Sequence, residues 1–552
     1  RPAPCRADGP RATEPPPTRV YVWGFRRALP GGGSTDYLNP VRAPWFEEHP
    51  PPEGIWSQLA FGPTFGAAIS GTGPELCVWG SALTESEDVR FIGPLTALLP
   101  EECMDQKWVS VQCSESTVWL LSESGQVWVL ERITDMLDDM CARRVLARVG
   151  SSGAKGLGPM PTEVNARQVK ELPVVRKMSI GPYHGAFVSA EGALFTVGAN
   201  FSGQCGQSPS DALAVGVTEV TLPAGVFIED VAVGRGHTMV LDDSGVMYAL
   251  GDDSKIQLGL GDTRSNIGDL RPLEGSRGYK AFLRGENPAA KAKQMSQKGK
   301  DVAKYADNIP HAHFRPIALP PLPTEAQTER VVAGAYDRPE PAFLAAGEDF
   351  SVCVVEDEEA DDFAPFARQR VLCCGENGAG QCGRTLQQCQ QTWSRTRLPR
   401  GIRAHSIRCG HRHCLALVQK ESKLKAELYA WGSNVHGAVG SEKSIKVICP
   451  PQKVKPVWGA GWWVRSLGAG FRSSAAVVSQ GDGPELPISP TRSRRSFAPG
   501  LGQFTAEVTG REEMEAEVAL LEERLRRLRE QQSVRDRESA RNVEERARTA
   551  GG

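Results

Sequence analysis

One phrase recurs along the chain and limits what it can fold into. It opens with Gly, two residues and often His, then Ser or Thr and apolar residues. A polar turn with Gly follows, then an apolar strand that ends in Gly. The clearest copy runs from Gly234 through His237 and Gly245 to Gly251. Others run from Gly181 through His184 to Gly198 and from Gly410 through His413 to Trp431-Gly432. Weaker copies run from Gly62 to Trp79-Gly80, from Gly347 to Cys374-Gly375 and from Gln112 to Trp128. A last one opens at Gly468 and reaches Ala475-Ala476-Val477-Val478 without a closing strand. A second phrase follows several of them: Gly198-x-Asn200-x-x-Gly203-Gln-Cys-Gly206, repeated at Gly375 to Gly383 and Gly432 to Gly440, and more loosely at Gly251 to Gly259. Glycines at fixed offsets mark turns that need positive φ or close approach. A repeat of about 50 residues built of short strands is the pattern of propeller blades.

Seven openings stand at Gly62, Gln112, Gly181, Gly234, Gly347, Gly410 and Gly468. The seventh lacks a closing strand, and Val20-Tyr21-Val22-Trp23-Gly24 is a closing strand with no opening. Pairing the two closes a ring and removes its sheet edges. The expected fold is all-β: a seven-bladed β-propeller over residues 20–479, with helical insertions and a C-terminal helix. The chain holds 58 Gly and 40 Pro in 552 residues, above the usual ~7 % and ~5 %, as a turn-rich fold requires.

These residues resemble the repeats named after the regulator of chromosome condensation. The Gly-x-x-His-Ser/Thr phrase, the Trp-Gly strand ending and the Gly-x-Asn-x-x-Gly-Gln-x-Gly turn recur in register over residues 20–479. The resemblance implies a seven-bladed propeller. It also implies one of two activities, guanine-nucleotide exchange on a small GTPase or service as a binding platform, and some members work in mitochondria. The sequence departs from the pattern where the His slot holds Phe65, Glu115, Phe350 and Phe471. Trp23, Trp79, His184, His237, His413 and Trp431 are read as structural repeat positions. The three His are symmetry mates around a ring, which favours a repeated hydrogen bond over one convergent site; His411 and His413 alone make a poor metal site.

The remaining segments are where an interaction device is expected. The insertion at 263–316 is basic. Asn287-Pro288 opens a helix-like run that carries Lys291, Lys293, Lys298, Lys300 and Lys304. It reads as a solvated helix or as a dock for an acidic protein surface or an RNA backbone, without the aromatic interleaving of base stacking. The insertion at 132–172 carries Met136, Leu137, Met140, Val145 and Leu146 at helical spacing, and its Gly150–Gly156 stretch lacks the phosphate-loop order. The acidic run 356–362 replaces a hairpin turn. Residues 1–19 form a tail and 480–508 a linker rich in Pro, Gly and Ser. Over 509–548 a capping box, Thr509-x-x-Glu512, precedes Met514, Val518, Leu521, Leu525 and Leu528. That is a coiled-coil-like seam of about three heptads, suited to a groove of a larger partner.

Lys and Arg number 64 against 66 Asp and Glu, which predicts no global field toward nucleic acid or lipid. No run reaches the ~20 apolar residues of a membrane span. The 14 cysteines read as reduced structural thiols in a non-secretory compartment. Cys373-Cys374 is the one place that suggests redox chemistry, against its reading as two core-strand residues. Nucleophile-elbow, dinucleotide and metal motifs are not found, and no cofactor is expected. The chain opens at Arg1 without Met, as after removal of a transit segment or at a chosen boundary. The functional expectation is a protein-protein interaction platform, a subunit or assembly factor of a multi-subunit, mitochondrial complex. The alternative is a guanine-nucleotide releasing factor for a small GTPase, with a cytoplasmic or nuclear location as the alternative compartment.

Overall fold

The computed structural model describes residues 18–480, apart from 31–34, 53–54, 82–89, 150–163, 208–214, 223–225, 244, 260–314, 318–340, 357–368, 388, 421–424 and 442–444. The chain divides into two units, Arg1–Pro499 and Gly500–Gly552, and every described element lies in the first.

Each copy of the repeat becomes four antiparallel strands. Group one holds Gln58–Phe61, Phe65–Ile69, Leu76–Ser81 and Arg90–Pro94. Group two holds Trp108–Cys113, Val118–Ser122, Val127–Leu130 and Ala166–Gln168. Group three holds Val175–Ile180, His184–Ser189, Leu194–Gly198 and Val215–Glu219. Group four holds Ile228–Val233, His237–Asp242, Met247–Gly251 and Arg315–Ile317. Group five holds Pro341–Ala346, Phe350–Glu356, Gln369–Glu376 and Cys389–Arg395. Group six holds Ile402–Cys409, His413–Lys420, Ala426–Ser433 and Val447–Lys453. A single pair, Gln369 with Ile402, joins groups five and six at one edge.

Group seven holds Trp462–Gly470 and Ser473–Gln480, and its third and fourth strands come from the other end of the chain, Thr18–Gly24 and Tyr37–Arg42. Thr18–Gly24 pairs residue for residue with Ser479 to Ser473. The open edge of the last repeat is thereby covered by the orphan strand. Each group packs on the next, and group seven packs on group one. The first strands of successive groups are mutual neighbours around the ring, so they line its axis. The architecture is an all-β propeller.

Why these strands read as unbroken apolar runs follows from that stacking. A strand places successive side chains on opposite faces, and here both faces are covered. Val20 and Val22 join the apolar cluster toward group one, while Tyr21 and Trp23 join the cluster toward group six. Seven such clusters lie between the seven pairs of neighbouring groups. The same alternation separates Cys373 from Cys374: one faces group six and the other group four. No disulfide links the thirteen described cysteines.

The first insertion is a helix, Ile133–Val149. Ile133, Leu137, Met140 and Cys141 are buried on it, all but Cys141 within the cluster of groups one and two. In chain order the basic insertion falls between Met247–Gly251 and Arg315–Ile317 and the acidic run between Phe350–Glu356 and Gln369–Glu376; residues 260–314 and 357–368 lie outside the described residues. Among the described residues no helix is long and apolar enough to cross a membrane.

Candidate functional site: the slots and the turn hub

The repeat phrase is a hairpin joining the first two strands of each group. The backbone N–H of the opening residue donates to the carbonyl of the slot residue three positions on: Gly62 to Phe65, Gly181 to His184, Gly234 to His237, Gly347 to Phe350 and Gly410 to His413, at 2.9–3.0 Å. In group two that bond runs from Ser114 to Thr117. In group seven Gly470 pairs with Ser473. The openings expected at Gln112 and Gly468 are therefore displaced by two residues. Thr117 and Ser473 hold the slots, and Glu115 and Phe471 lie in the turns instead. Strand pairing sets the register there, where the opening Gly is missing (group two) or a second Gly competes (group seven).

An aromatic ring in a slot lies flat against the opening glycine. A Cβ added to Gly234 would stand 2.1 Å from His237 Cε1, and one added to Gly347 would stand 2.0 Å from Phe350 Cε1. His and Phe thus occupy the same space. What differs is the next group. His184 Nε2 lies 2.8 Å from Thr238 Oγ1, His237 Nε2 lies 2.9 Å from Ser351 Oγ, and His413 Nε2 lies 3.0 Å from Ser474 Oγ. Each partner hydroxyl directly follows the slot residue of the neighbouring group. Where the slot holds Phe65 or Phe350, the equivalent neighbour is Val118 or Cys414, buried in the same cluster. His stands where the neighbour offers a hydroxyl, and Phe stands where it offers none.

The hydroxyls fix the tautomer. Thr238, Ser351 and Ser474 each donate their one proton to a turn carbonyl, of Gln204, Gln257 and Ala438 respectively, at 2.9, 2.6 and 2.8 Å. They accept from imidazole, so Nε2 carries the proton. The Nδ1 atoms of His184 and His237 have no partner. Burial lowers all three His to about 3, with His237 a further cause for His184 and His411 for His413. They are neutral structural staples between blades, not acid–base groups.

The buried Trp residues act alike. Trp23, Trp79 and Trp431 donate from Nε1 to the carbonyls of Ala438, Ala28 and Gln381 at 2.8–2.9 Å. The turn that supplies most of these carbonyls is the second phrase. Its Asn side chain accepts the N–H five residues on: Asn200 from Cys205, Asn377 from Cys382 and Asn434 from Val439, at 2.9–3.1 Å. Gly203, Gly380 and Gly437 sit at φ of +78°, +75° and +82°. In the looser copy Ile256 stands at that place with φ of +65°, a strained backbone for a β-branched residue.

The two residues between opening and slot converge from successive groups on one end of the axis. Their backbones are tied in series: Arg235 N–H to the Glu348 carbonyl, Glu348 N–H to His411, and His411 N–H to Phe471, at 2.8, 2.9 and 3.2 Å. Arg235 reaches Glu348 at 3.2 Å and Asp349 at 3.7 Å. Arg412 pairs with Glu376, and the His411 ring lies 4.0 Å from that of Phe471. The position after each closing glycine adds an outer row, Asp252 bonding to the Gly236 carbonyl and Glu376 to that of Asp349. Burial pushes Asp349 up to about 6 against the opposing charge of Arg235, with Glu348 a further cause. Glu115 is raised by burial and by Glu348, so groups two and five meet electrostatically here. Among the described residues five carboxylates (Glu115, Asp252, Glu348, Asp349, Glu376) face three guanidinium groups, Arg235, Arg412 and Arg472, the last acting on His411. This is a polar, carboxylate-rich hub.

Residues 191–241 match the regulator of chromosome condensation (RCC1) repeat. That stretch spans the last two strands of group three, the first strand of group four and its His237 slot. The chain carries an RCC-type repeat there and is similar to that family. Among relatives of this RCC-type propeller, the X-linked retinitis pigmentosa GTPase regulator homolog of Caenorhabditis elegans is 26% identical over 167 residues, 30% of this chain and 11% of the relative. The Mus musculus X-linked retinitis pigmentosa GTPase regulator is 37% identical over 86 residues, 16% of this chain and 8% of that protein. The matched parts are thus a small share of those relatives. Two solved structures share the fold: human WBSCR16 (TM-score 0.54, 16% identity, 84% of this chain and 99% of that one) and Prp20p of Saccharomyces cerevisiae (TM-score 0.55, 14% identity, 85% and 93%).

The RCC-type ring brings Trp23, Trp79, His184, His237, His413 and Trp431 into the inter-blade staples. Lys291, Lys293, Lys298, Lys300 and Lys304, and Met514, Val518, Leu521, Leu525 and Leu528, lie outside the described residues. Sequence reasoning missed the hub. Its signal was present as charge in the two positions ahead of three of the slots, Arg235, Glu348-Asp349 and His411-Arg412.

Proposed function

We propose that the chain is a protein-protein interaction platform that docks a basic segment of a partner on the turn hub. The observation that carries this reading is the convergence, from separate groups, of more carboxylates than guanidinium groups on one end of the axis, in a chain whose total charge is nearly balanced. A partner Lys or Arg would meet Glu348 and Glu376, whose side chains are 20% and 16% exposed, in a partly desolvated setting where charge pairing is stronger than in water. The basic insertion and the C-terminal seam supply further contacts within a larger complex. The mitochondrion is proposed as its compartment on the resemblance to mitochondrial family members.

The test is co-purification with the full chain and two variants. Glu348→Gln with Glu376→Gln neutralises the hub; Leu521→Glu with Leu525→Glu charges the seam. The platform reading expects partner loss from the hub variant, with melting within about 3 °C of the parent, and partial loss from the seam variant. A hub variant that keeps every partner overturns the hub reading.

A second reading, guanine-nucleotide exchange on a small GTPase, is favoured by two likenesses. Relatives are named GTPase regulators, and Prp20p, which shares the fold, has binding properties toward Gsp1p and histones. Exchange needs no bond-breaking group on the propeller, only tighter binding of the nucleotide-free state.

A further inference from the structure

The hairpin that carries His411 and Arg412 into the hub is flanked by two thiols. Cys409 and Cys414 are direct cross-strand partners, and their sulfurs lie 3.5 Å apart. The next pair inward, Gly410 with His413, is the hydrogen-bonded one. Cys409 and Cys414 therefore form a non-hydrogen-bonded pair, whose Cα atoms approach to about 4.5 Å and whose side chains stand closest. That spacing falls inside the range a disulfide spans. The corresponding pairs of the other groups are Phe61 with Gly66, Cys113 with Val118, Ile180 with Gly185, Val233 with Thr238, Ala346 with Ser351 and Ala469 with Ser474. In none of them do two thiols face. The preceding slot holds Phe350, so Cys414 has no His staple to serve.

We infer that Cys409 and Cys414 are an oxidation site, at which a hydroperoxide closes a cross-strand disulfide over the hub hairpin. Cys409 is half-buried and Cys414 fully buried, so oxidant reaches Cys409 first. Cys409 gives up its proton and the thiolate attacks the peroxide; the O–O bond breaks, an S–OH group forms, and the departing oxygen takes up that proton to leave as water or an alcohol. The Cys414 sulfur then attacks that sulfur. The S–S bond forms, the S–O bond breaks, and the departing hydroxide takes the Cys414 proton to leave as water. The two thiols lose two electrons and the peroxide gains them. Burial pushes the Cys414 thiol well above its usual range, which leaves initiation to Cys409; its contact distance supplies the proximity that makes the second, intramolecular step fast. The bond would also remove the Cys414 Sγ–H donated to the Gln381 carbonyl at 3.6 Å.

The experiment treats the folded full chain with hydrogen peroxide, alkylates the remaining thiols in denaturant and digests with trypsin. Trypsin cuts after Arg408, Arg412 and Lys420, so the peptides Cys409–Arg412 and His413–Lys420 stay joined only through the disulfide. The expected result is that joined pair, two hydrogens lighter than the sum of the reduced peptides and lost on reduction, at peroxide doses that leave most buried cysteines alkylatable. Cys414→Ser should stop at a Cys409 sulfenic acid that dimedone traps. Separate, alkylated peptides at a dose that oxidises the half-buried Cys449 overturn the proposal. So does a Cys414–Cys382 bond formed as readily in Cys409→Ser. Both outcomes are independent of partner binding at the hub.

Discussion

The matching of each slot to its neighbour can be tested as an energy. His237→Phe with Ser351→Cys converts the contact between groups four and five into a copy of the Phe350–Cys414 pair. Alone, His237→Phe removes one buried hydrogen bond, worth roughly 1 kcal/mol. Ser351 keeps its 2.6 Å bond to the Gln257 carbonyl, and the new ring finds the space above Gly234 that Phe350 finds above Gly347. Ser351→Cys alone is worse. It weakens the bond to Gln257 and leaves the His237 Nε2 proton buried without an acceptor, about 2–3 kcal/mol together. In the double variant no imidazole proton is stranded, so the cost returns to about 2 kcal/mol. The cycle should show a coupling of roughly 1–2 kcal/mol, read from urea unfolding of the four proteins at pH 7.5. Independent sites add to within about 0.5 kcal/mol. Additivity at that level would refute the staple.

Three further outcomes are expected. Because His184, His237 and His413 are held at about 3 in the folded state, only the unfolded chain takes up their protons below about 6.5. Stability is then full above pH 6.5 and falls toward pH 3 by up to about 1.4 kcal/mol per pH unit for each His. Asp349, raised to about 6, binds its proton in the folded state and offsets about one of the three between pH 6 and 4. His237→Phe should flatten the urea-derived slope by one proton, and an unchanged slope would contradict the neutral-staple reading. Ile256→Gly should raise stability by about 0.5–1 kcal/mol by relieving the positive φ, and a loss would show that its side chain matters more than its backbone. Deleting residues 1–24 should lower the melting temperature by more than about 10 °C, since it removes buried Val20, Tyr21, Val22 and Trp23. Deleting 1–17 should change it by less than about 2 °C, and equal melting of the two truncations would argue against closure by Thr18–Gly24.

The ring was legible because its repeats are hairpins of fixed length. Gly234-x-x-His237 and Gly410-x-x-His413 state the turn, the slot and the strand that follows in one short phrase. The orphan strand ending at Trp23-Gly24 announced its partner by what the last repeat lacked. The phrase failed where its glycine failed. Ser114 carries the opening N–H of group two, and Gly468 sits two residues before the functional Gly470, so pairing had to decide what pattern could not. The slot partners were hidden for another reason: His237 and Ser351 lie 114 residues apart, and only blade stacking brings them together. The hub needed the same stacking. The thiols show the limit of reading adjacency, because the period of a strand sends Cys373 and Cys374 to opposite faces. Cys409 and Cys414, five apart across the hairpin phrase, are brought face to face.

The sharpest test of the platform account is nucleotide release. A small GTPase that co-purifies with the full chain is loaded with a fluorescent guanine nucleotide, and release is followed with the chain present in substoichiometric amount. A platform predicts the spontaneous rate, with binding lost in Glu348→Gln with Glu376→Gln and unaffected by the nucleotide state of the partner. Release accelerated about tenfold or more, with preferred binding to the nucleotide-free GTPase, would contradict the platform and establish the chain as an exchange factor.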